Sequence, residues 1–428
     1  MVFNKQSIIL GAGITGLSAG MKTGYPIYES SDYPGGICTS YYRANGHKKN
    51  SNENDEAYHF ETGGGHWIFG ADNRVLKLIN NLSPLKSYSR KSAVYFPDLR
   101  VYVPYPLQKN LSYLPKDIVE KVIDEMMHTD GKNVATLADW LLSSFGPTLC
   151  ELFFFPFHEL YTTGLYTKTA PQDDYKTPSY KEDLPKDQDK RKHAGYNASF
   201  VYPTEGLDEL TKRISEKCII NHQKTAVKID MRKQEVSFKD GSSVFYDHII
   251  STLPLNKMTE ICGLEPDEMA PPYVSVMVIN IGAIKGKNCP DYHWVYIPKS
   301  KSGFYRVGFY SNVDNSFLPL NKRKTNDRVN IYVEKAYPGG STIDNKAVKI
   351  LCDSVVKELQ EWQWIKETEV IDPTWINVAY TYEYPGSQWK EKALGMLKKS
   401  NIHQIGRYGT WHFQGIAESI KDGLSFSL

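Results

Sequence analysis

Apolar and polar positions change rhythm along this chain, and each change marks a different kind of element. Ser7 to Leu10 is a short apolar run, followed by GAGITG, then by LSAGM with apolar residues at helical spacing. YPIYES then reads as a second strand ending on Glu29, so the order predicts a compact β–α–β unit. Asn45 to His59 (NGHKKNSNENDEAYH) is polar and predicts an exposed loop or hairpin tip. From about Pro115 to Phe157 the period becomes helical, in DIVEKVIDEMM and TLADWLLSSFGPTLCELFF. The proline-bearing TAPQDDYKTPSYKEDLPKDQDKRKHAG predicts a long loop. From Ala226 alternation takes over: AVKIDMRKQEVSFKDGSSVFYDHIISTLP, VSVMVINIGAI, HWVYIP, FYRVGFYSN and VNIYVEKAY all predict strands. A helix in NKAVKILCDSVVKELQEW, a strand near Ile376 to Tyr382, a strand and loop in NIHQIGRYGTW, and a helix in GIAESIKDGLSFSL complete the order.

Composition narrows the function classes only a little. A chain of 428 residues can bury a large core and suggests two or three domains. The net charge of +2 gives nucleic-acid binding no support, and no apolar run approaches the eighteen residues of a membrane span. The N-terminus runs straight into a buried strand, which predicts no signal peptide and a cytoplasmic location. The six cysteines are scattered without a CxxC pair, which predicts reduced thiols and no zinc site. The 29 tyrosines and 8 tryptophans stand out, because rings that carry polar atoms suit a cleft for sugars and nucleotides as well as a core.

The chemistry begins at GAGITG. Gly11 permits a tight turn, Gly13 lets a pyrophosphate approach, and Gly16 lets the helix pack closely, with the helix N-terminus facing the negative charge. Glu29, at the second strand's end, can accept both hydroxyls of an adenosine ribose. Directly after it, SSDYPGGICTSYY brings a second glycine pair, Gly35 and Gly36, as in flavoproteins of the amine-oxidase-like group. FETGGGHWIFG then places three glycines ahead of His66, and such a backbone can approach something flat or charged. Near the C-terminus, GRYGTW sets Arg407 before a helix whose N-terminus can stabilise an anionic reduced ring. Together these predict FAD, held by a domain with which the chain both begins and ends. The expected fold is α/β: a discontinuous Rossmann-like FAD-binding domain (1–62, 196–252 and 398–428), a mainly helical substrate domain (105–195), and an antiparallel β-sheet domain (63–104 and 253–397).

With these segments placed, the chain resembles the UDP-galactopyranose mutases, more the eukaryotic-type branch than the bacterial, over nearly its whole length. The resemblance rests on PGGICTSY, FETGGGHWIF, VYVPYPLQKNLSYLP, YTTGLY, GYNASFVYPTEGLDEL, FYRVGFYSN and GRYGTW, of which VPYPLQKNLSYLP is the most specific. It implies a pyranose–furanose isomerase that acts on a nucleotide-diphosphate sugar and supplies galactofuranose for cell-surface glycans. In that family N5 of reduced FAD attacks the anomeric carbon, with NADPH or NADH as candidate reductant. The resemblance implies that GGGH lies on the isoalloxazine with His66 beside N5. Gly36, Gly64, Gly65, Val227 and Arg407 would also be on the cofactor side. Arg306 and Tyr384 would hold the diphosphate and Asn197 the substrate. Trp294 and Tyr296 would face the galactose, and Tyr105 and Gln108 the uridine. His66, Arg306 and Asn197 would be the catalytic set.

Some positions depart from the family pattern. Phe413 stands where the family has a tyrosine that helps hold the phosphates, and GIAES replaces an NQDHS-like stretch. Tyr166 takes the place of a tryptophan that packs on uracil, and a second diphosphate arginine has only Lys168 or a residue of KDQDKRKH as substitute. Two other readings stay open: an amine-oxidase-like or desaturase-like FAD oxidoreductase, and a homologue that binds flavin or nucleotide sugar without catalysis. The oligomeric state is not legible.

Overall fold

The computed structural model describes residues 6–47, 55–70, 72–129, 134–172 and 198–428. Its first sheet has seven strands, and Gln6–Leu10 lies at its centre. That strand runs parallel to Ile27–Tyr28 on one side and to Ser243–Ser251 on the other. Ile402–Gln404 pairs in parallel with Ser243–Ser251, so a C-terminal strand completes a sheet that the N-terminus begins. Ile8, Ile9, Ile249 and Ile250 are fully buried, as expected for parallel strands covered on both faces. The helix Ile14–Thr23 packs on the C-terminal helix Ile416–Ser425. Gly423 allows the approach: a Cβ there would overlap the carbonyl oxygen of Thr15.

The second sheet also has seven strands, in the order Ile365–Thr381, Tyr273–Lys285, Arg328–Pro338, Arg306–Phe309, Trp294–Tyr296, Ser92–Phe96, Val101–Pro104. All neighbours are antiparallel except Trp294–Tyr296 with Ser92–Phe96. The helix Asn345–Glu361 covers its outer face through Leu351, Val355 and Leu359. The inner face receives a hairpin, Ser40–Arg43 with Tyr58–Glu61. Buried asparagines dock that hairpin: Asn280 Nδ2 donates to the Glu61 carbonyl at 2.8 Å and Asn330 Nδ2 to the His59 carbonyl at 2.7 Å. Asp372 accepts from Arg43 at 2.6 Å and from the Tyr41 hydroxyl. Backbone carbonyls are thus satisfied from across the sheet, and the chain that follows, Thr62 to His66, leaves in a fixed direction.

The helical region is broken for a local reason. Leu137–Leu149 kinks at Gly146–Pro147, where Gly146 has φ +76°. A π turn, Cys150–Phe154, leads from it into the helix Phe155–Thr162. Single π turns occur frequently at functional sites. Of the polar 45–59 segment, Tyr58 and His59 belong to the buried strand rather than to an exposed tip, and 48–54 lie outside the described residues, as do 173–197 of the polar stretch after Ala170.

Candidate functional site: two joined cavities

Glycine turns shape the larger cavity, of about 660 Å³. Gly11 adopts φ +95°, and a Cβ on Gly16 would overlap the Gly11 carbonyl oxygen, so the turn closes only with glycine at both. Gly13 differs: a Cβ there would meet nothing within 4 Å, and the residue lines the cavity. Gly36, at φ +61°, lines the same wall, where Gly35 bridges to Gly13. Two helix N-termini open here, Ile14–Thr23 through Gly13 and Ile416–Ser425 through Gly415. Their partial positive charge suits a diphosphate at one end and an electron-rich ring at the other. This backbone-lined cradle fits the FAD that the sequence predicts.

Glu29 shapes the first turn directly. Its carboxylate accepts from the Ala12 amide at 2.6 Å and from the Ser31 amide at 2.8 Å, so a ribose hydroxyl would share oxygens already used to fix the turn. Val227 is exposed and lines neither cavity.

The three consecutive glycines answer to packing as well as to a ligand. A Cβ on Gly63 would overlap the His66 ring, and one on Gly65 the Tyr332 hydroxyl. Gly64, at φ +82°, would bring its Cβ to 3.0 Å from Glu334 Oε1. His66 thus folds back over its own loop, and Gly63, Gly65 and His66 line the larger cavity while Gly64 lies behind them. Burial lowers the pKa of His66 to about 4, assisted by the positive charges of Arg407 and Arg306. The ring is neutral at neutral pH.

A smaller cavity of about 230 Å³ adjoins the first. Tyr105, Tyr296, Tyr305, Arg306, Tyr380, Arg407 and Phe413 line both, so one set of side chains forms the junction. Arg306 pairs with Glu334, its partner in the strand register, and Glu334 also accepts from Tyr305 at 2.6 Å. Arg306 Nε remains buried without a partner among the described residues, as does Trp294 Nε1 on the larger cavity's wall. Both are N–H donors, and a ligand oxygen would satisfy either. Arg407 donates to the Ala379 carbonyl at 2.7 Å and lies 4.3 Å from the Phe413 ring centroid. The residue that lacks the family hydroxyl therefore serves as a cation–π partner for Arg407.

The sequence-predicted substrate residues divide. Tyr105, Trp294, Tyr296 and Arg306 line the cavity walls. Gln108 is buried on the turn after Tyr105 and lines neither cavity. Tyr166 packs against Phe155 and His158, also off both walls. Tyr384 lies beyond the strand that ends at Thr381 and lines neither cavity, whereas Tyr380, Thr381 and Tyr382 reach the smaller cavity's wall; alternation alone would put Tyr384 on the side of Tyr380, so the end of the strand is what removes it. Asn197 lies outside the described residues. Sequence reasoning missed Tyr305, Tyr380, Glu334 and His158. Two of them carried a signal, since Glu334 and His158 are titratable residues that interrupt the largely apolar stretches VNIYVEKAY and FFFPFHELY.

The described residues contain no helix long and apolar enough to cross a membrane and no cluster of side chains suited to a metal ion. Among solved structures the chain is similar to reduced UDP-galactopyranose mutase, with TM-score 0.80 and 22% identity, covering 98% of this chain and 94% of that one. It is also similar to cyclohexylamine oxidase from Brevibacterium oxydans IH-35A (TM-score 0.63, 13% identity, 98% and 97% covered). A third is a fatty acid isomerase from P. acnes that produces CLA (TM-score 0.58, 13% identity, 98% and 96% covered). These likenesses establish an α/β FAD-binding fold shared by oxidases and isomerases, so fold alone does not choose the reaction. Residues 15–425 match the family described as flavin containing amine oxidoreductase, and with its glycine cradle and two helix N-termini the chain belongs to that flavoprotein family.

Proposed function

We propose that this protein is a flavin-dependent mutase that interconverts pyranose and furanose forms of a nucleotide-diphosphate sugar of the UDP-galactose type. The observation that carries the reading is the junction: Arg306 and Arg407 stand together where the aromatic cavity opens onto the cofactor cavity. With Glu334 paired to Arg306, the two guanidinium groups leave a net positive charge there, which favours an anionic diphosphate over a cationic amine.

The cradle of Gly13, Gly36, Gly65 and the Ile416–Ser425 N-terminus would hold FAD, which in its reduced form supplies a nucleophilic N5. Arg306, through its unpartnered Nε, and Arg407 hold the diphosphate as its bond to the anomeric carbon breaks and re-forms. Trp294 and Tyr296 flank the sugar, and Tyr105 borders the path to the base. Neutral His66, on the larger cavity's wall, would border the flavin without adding positive charge. In this reading Tyr166, Tyr384 and Gln108 act from behind the walls, and Asn197, outside the described residues, contacts the substrate. The helical and second-sheet regions, expected at 105–195 and at 63–104 with 253–397, provide the substrate side. NADPH or NADH would reduce the flavin.

The test is redox-state dependence. Flavin-loaded protein is incubated anaerobically with UDP-galactose, oxidised in one arm and dithionite-reduced in the other, and products are separated chromatographically. The reading expects furanose product only in the reduced arm, with many turnovers per flavin and no consumption of reductant. The family's oxidases favour a second reading, amine oxidation. Peroxide released in step with oxidation of an amine, with no isomerisation in the reduced arm, would establish it and sink the mutase.

A further inference from the structure

The aromatic end of the smaller cavity contains a polar group that the proposed chemistry does not use. His158 lies in the helix Phe155–Thr162, one turn after the π segment, and lines that cavity. Its Nδ1 is 2.8 Å from the Phe154 carbonyl oxygen. A carbonyl only accepts, so Nδ1 carries the proton and Nε2 presents a lone pair. Nε2 has no hydrogen-bond partner among the described residues, whereas the side chain is only 9% exposed. Burial lowers the pKa of this histidine to about 4, which keeps the acceptor form at neutral pH.

The surroundings say what kind of ligand would meet it. Phe157 stands edge-on to the imidazole at 5.4 Å, with Tyr161 at 6.1 Å, and Phe154 and Trp140 line the same cavity. A flat ring suits such walls. The same cavity is lined by the two arginines of the cationic junction, Arg306 and Arg407. A ligand with its diphosphate at that junction and its sugar toward the cofactor would put its base among these aromatics.

We infer that His158 is a specificity-determining residue: its Nε2 accepts a hydrogen bond from a ring N–H of the nucleobase, as N3–H of uracil offers. This rests on the nucleotide-sugar reading above. A base methylated at that nitrogen leaves the buried acceptor unpaired, and sites built around such a bond reject ligands that lack the donor.

The test measures calorimetric affinity of flavin-loaded protein for UDP and for N3-methyl-UDP, in the wild type and in His158→Phe and His158→Gln. Wild type should prefer UDP by roughly tenfold or more. His158→Phe should lose that much affinity for UDP and leave N3-methyl-UDP unchanged. His158→Gln, which keeps an acceptor, should recover part of the preference. Flavin content and melting temperature report whether each variant folds. Equal UDP affinity in wild type and His158→Phe, with UDP binding still lost in Arg306→Met, would overturn the inference and leave the nucleotide-sugar reading standing. Failure of wild type to bind either nucleotide would overturn both.

Discussion

The two cavities are built by different means. The larger is shaped by backbone: glycines at Gly11, Gly13, Gly16 and Gly36, a folded glycine triplet, and two helix N-termini. The smaller is shaped by side chains drawn from distant segments, with Phe157 and His158 from one helix, Tyr305 and Arg306 from the second sheet, and Arg407 and Phe413 from near the C-terminus. A backbone cavity tolerates change at few positions but fixes its ligand's class. A side-chain cavity can be re-specified residue by residue, which is how one fold carries both oxidases and isomerases.

The junction is where substitution should cost most. Arg306→Met leaves the Glu334 carboxylate buried without its cation, which typically costs about 3–5 kcal/mol. Adding Glu334→Gln should recover much of this while preserving an acceptor for Tyr305. Chemical denaturation of the single and double variants measures the cycle, and equal stability in all four proteins would show that the pair contributes nothing.

A smaller effect separates the backbone cavity's two roles. Gly16→Ala forces a methyl against the Gly11 carbonyl and should cost about 1–3 kcal/mol in the flavin-free protein. Gly13→Ala meets open space, so flavin-free stability should stay within about 0.5 kcal/mol while FAD affinity falls. Melting curves with and without FAD separate the two outcomes. Undiminished FAD binding by Gly13→Ala would move the pyrophosphate elsewhere.

The last effect appears only on acidification and is at most comparable in size. Histidines near 6.5 in the unfolded chain are depressed to about 4 in the fold at His158 and at His66. As pH falls below 6.5 the unfolded state takes up protons that the folded state refuses, so stability present above that pH is lost toward pH 4. Each contributes at most about 1.4 kcal/mol per pH unit, and less for His66, which is partly open to the cavity. Between pH 6.5 and 4.5 the stability of His158→Gln should fall less steeply than wild type. Parallel slopes would mean that His158 is not held neutral by burial.

Legibility follows the same division. GAGITG, the PGG pair and the GRYGTW helix start were readable because a left-handed turn or an open helix end is a local property of a few residues. Arg306 was readable from a resemblance, but its buried partner Glu334 comes from the adjacent strand, and pairing register is not visible in one sequence. Tyr384 and Tyr380 show the limit more sharply. Which tyrosine of AYTYEY reaches the wall depends on where the strand ends, and tertiary packing sets that point at Thr381. His158 was visible as a histidine directly after the apolar run FFFPF. Its acceptor role needed the Phe154 carbonyl at 2.8 Å, a contact no pattern encodes.

If the two cavities form one site, a ligand held by the side-chain cavity touches the cofactor held by the backbone cavity. The most direct measurement is the flavin's visible absorption spectrum while UDP is titrated into the oxidised, FAD-loaded protein, with calorimetry in parallel. A saturating difference spectrum is expected, its midpoint matching the calorimetric one, and its loss is expected in the Arg306→Met/Glu334→Gln variant. UDP that binds by calorimetry without perturbing the flavin, or that fails to bind, would contradict it.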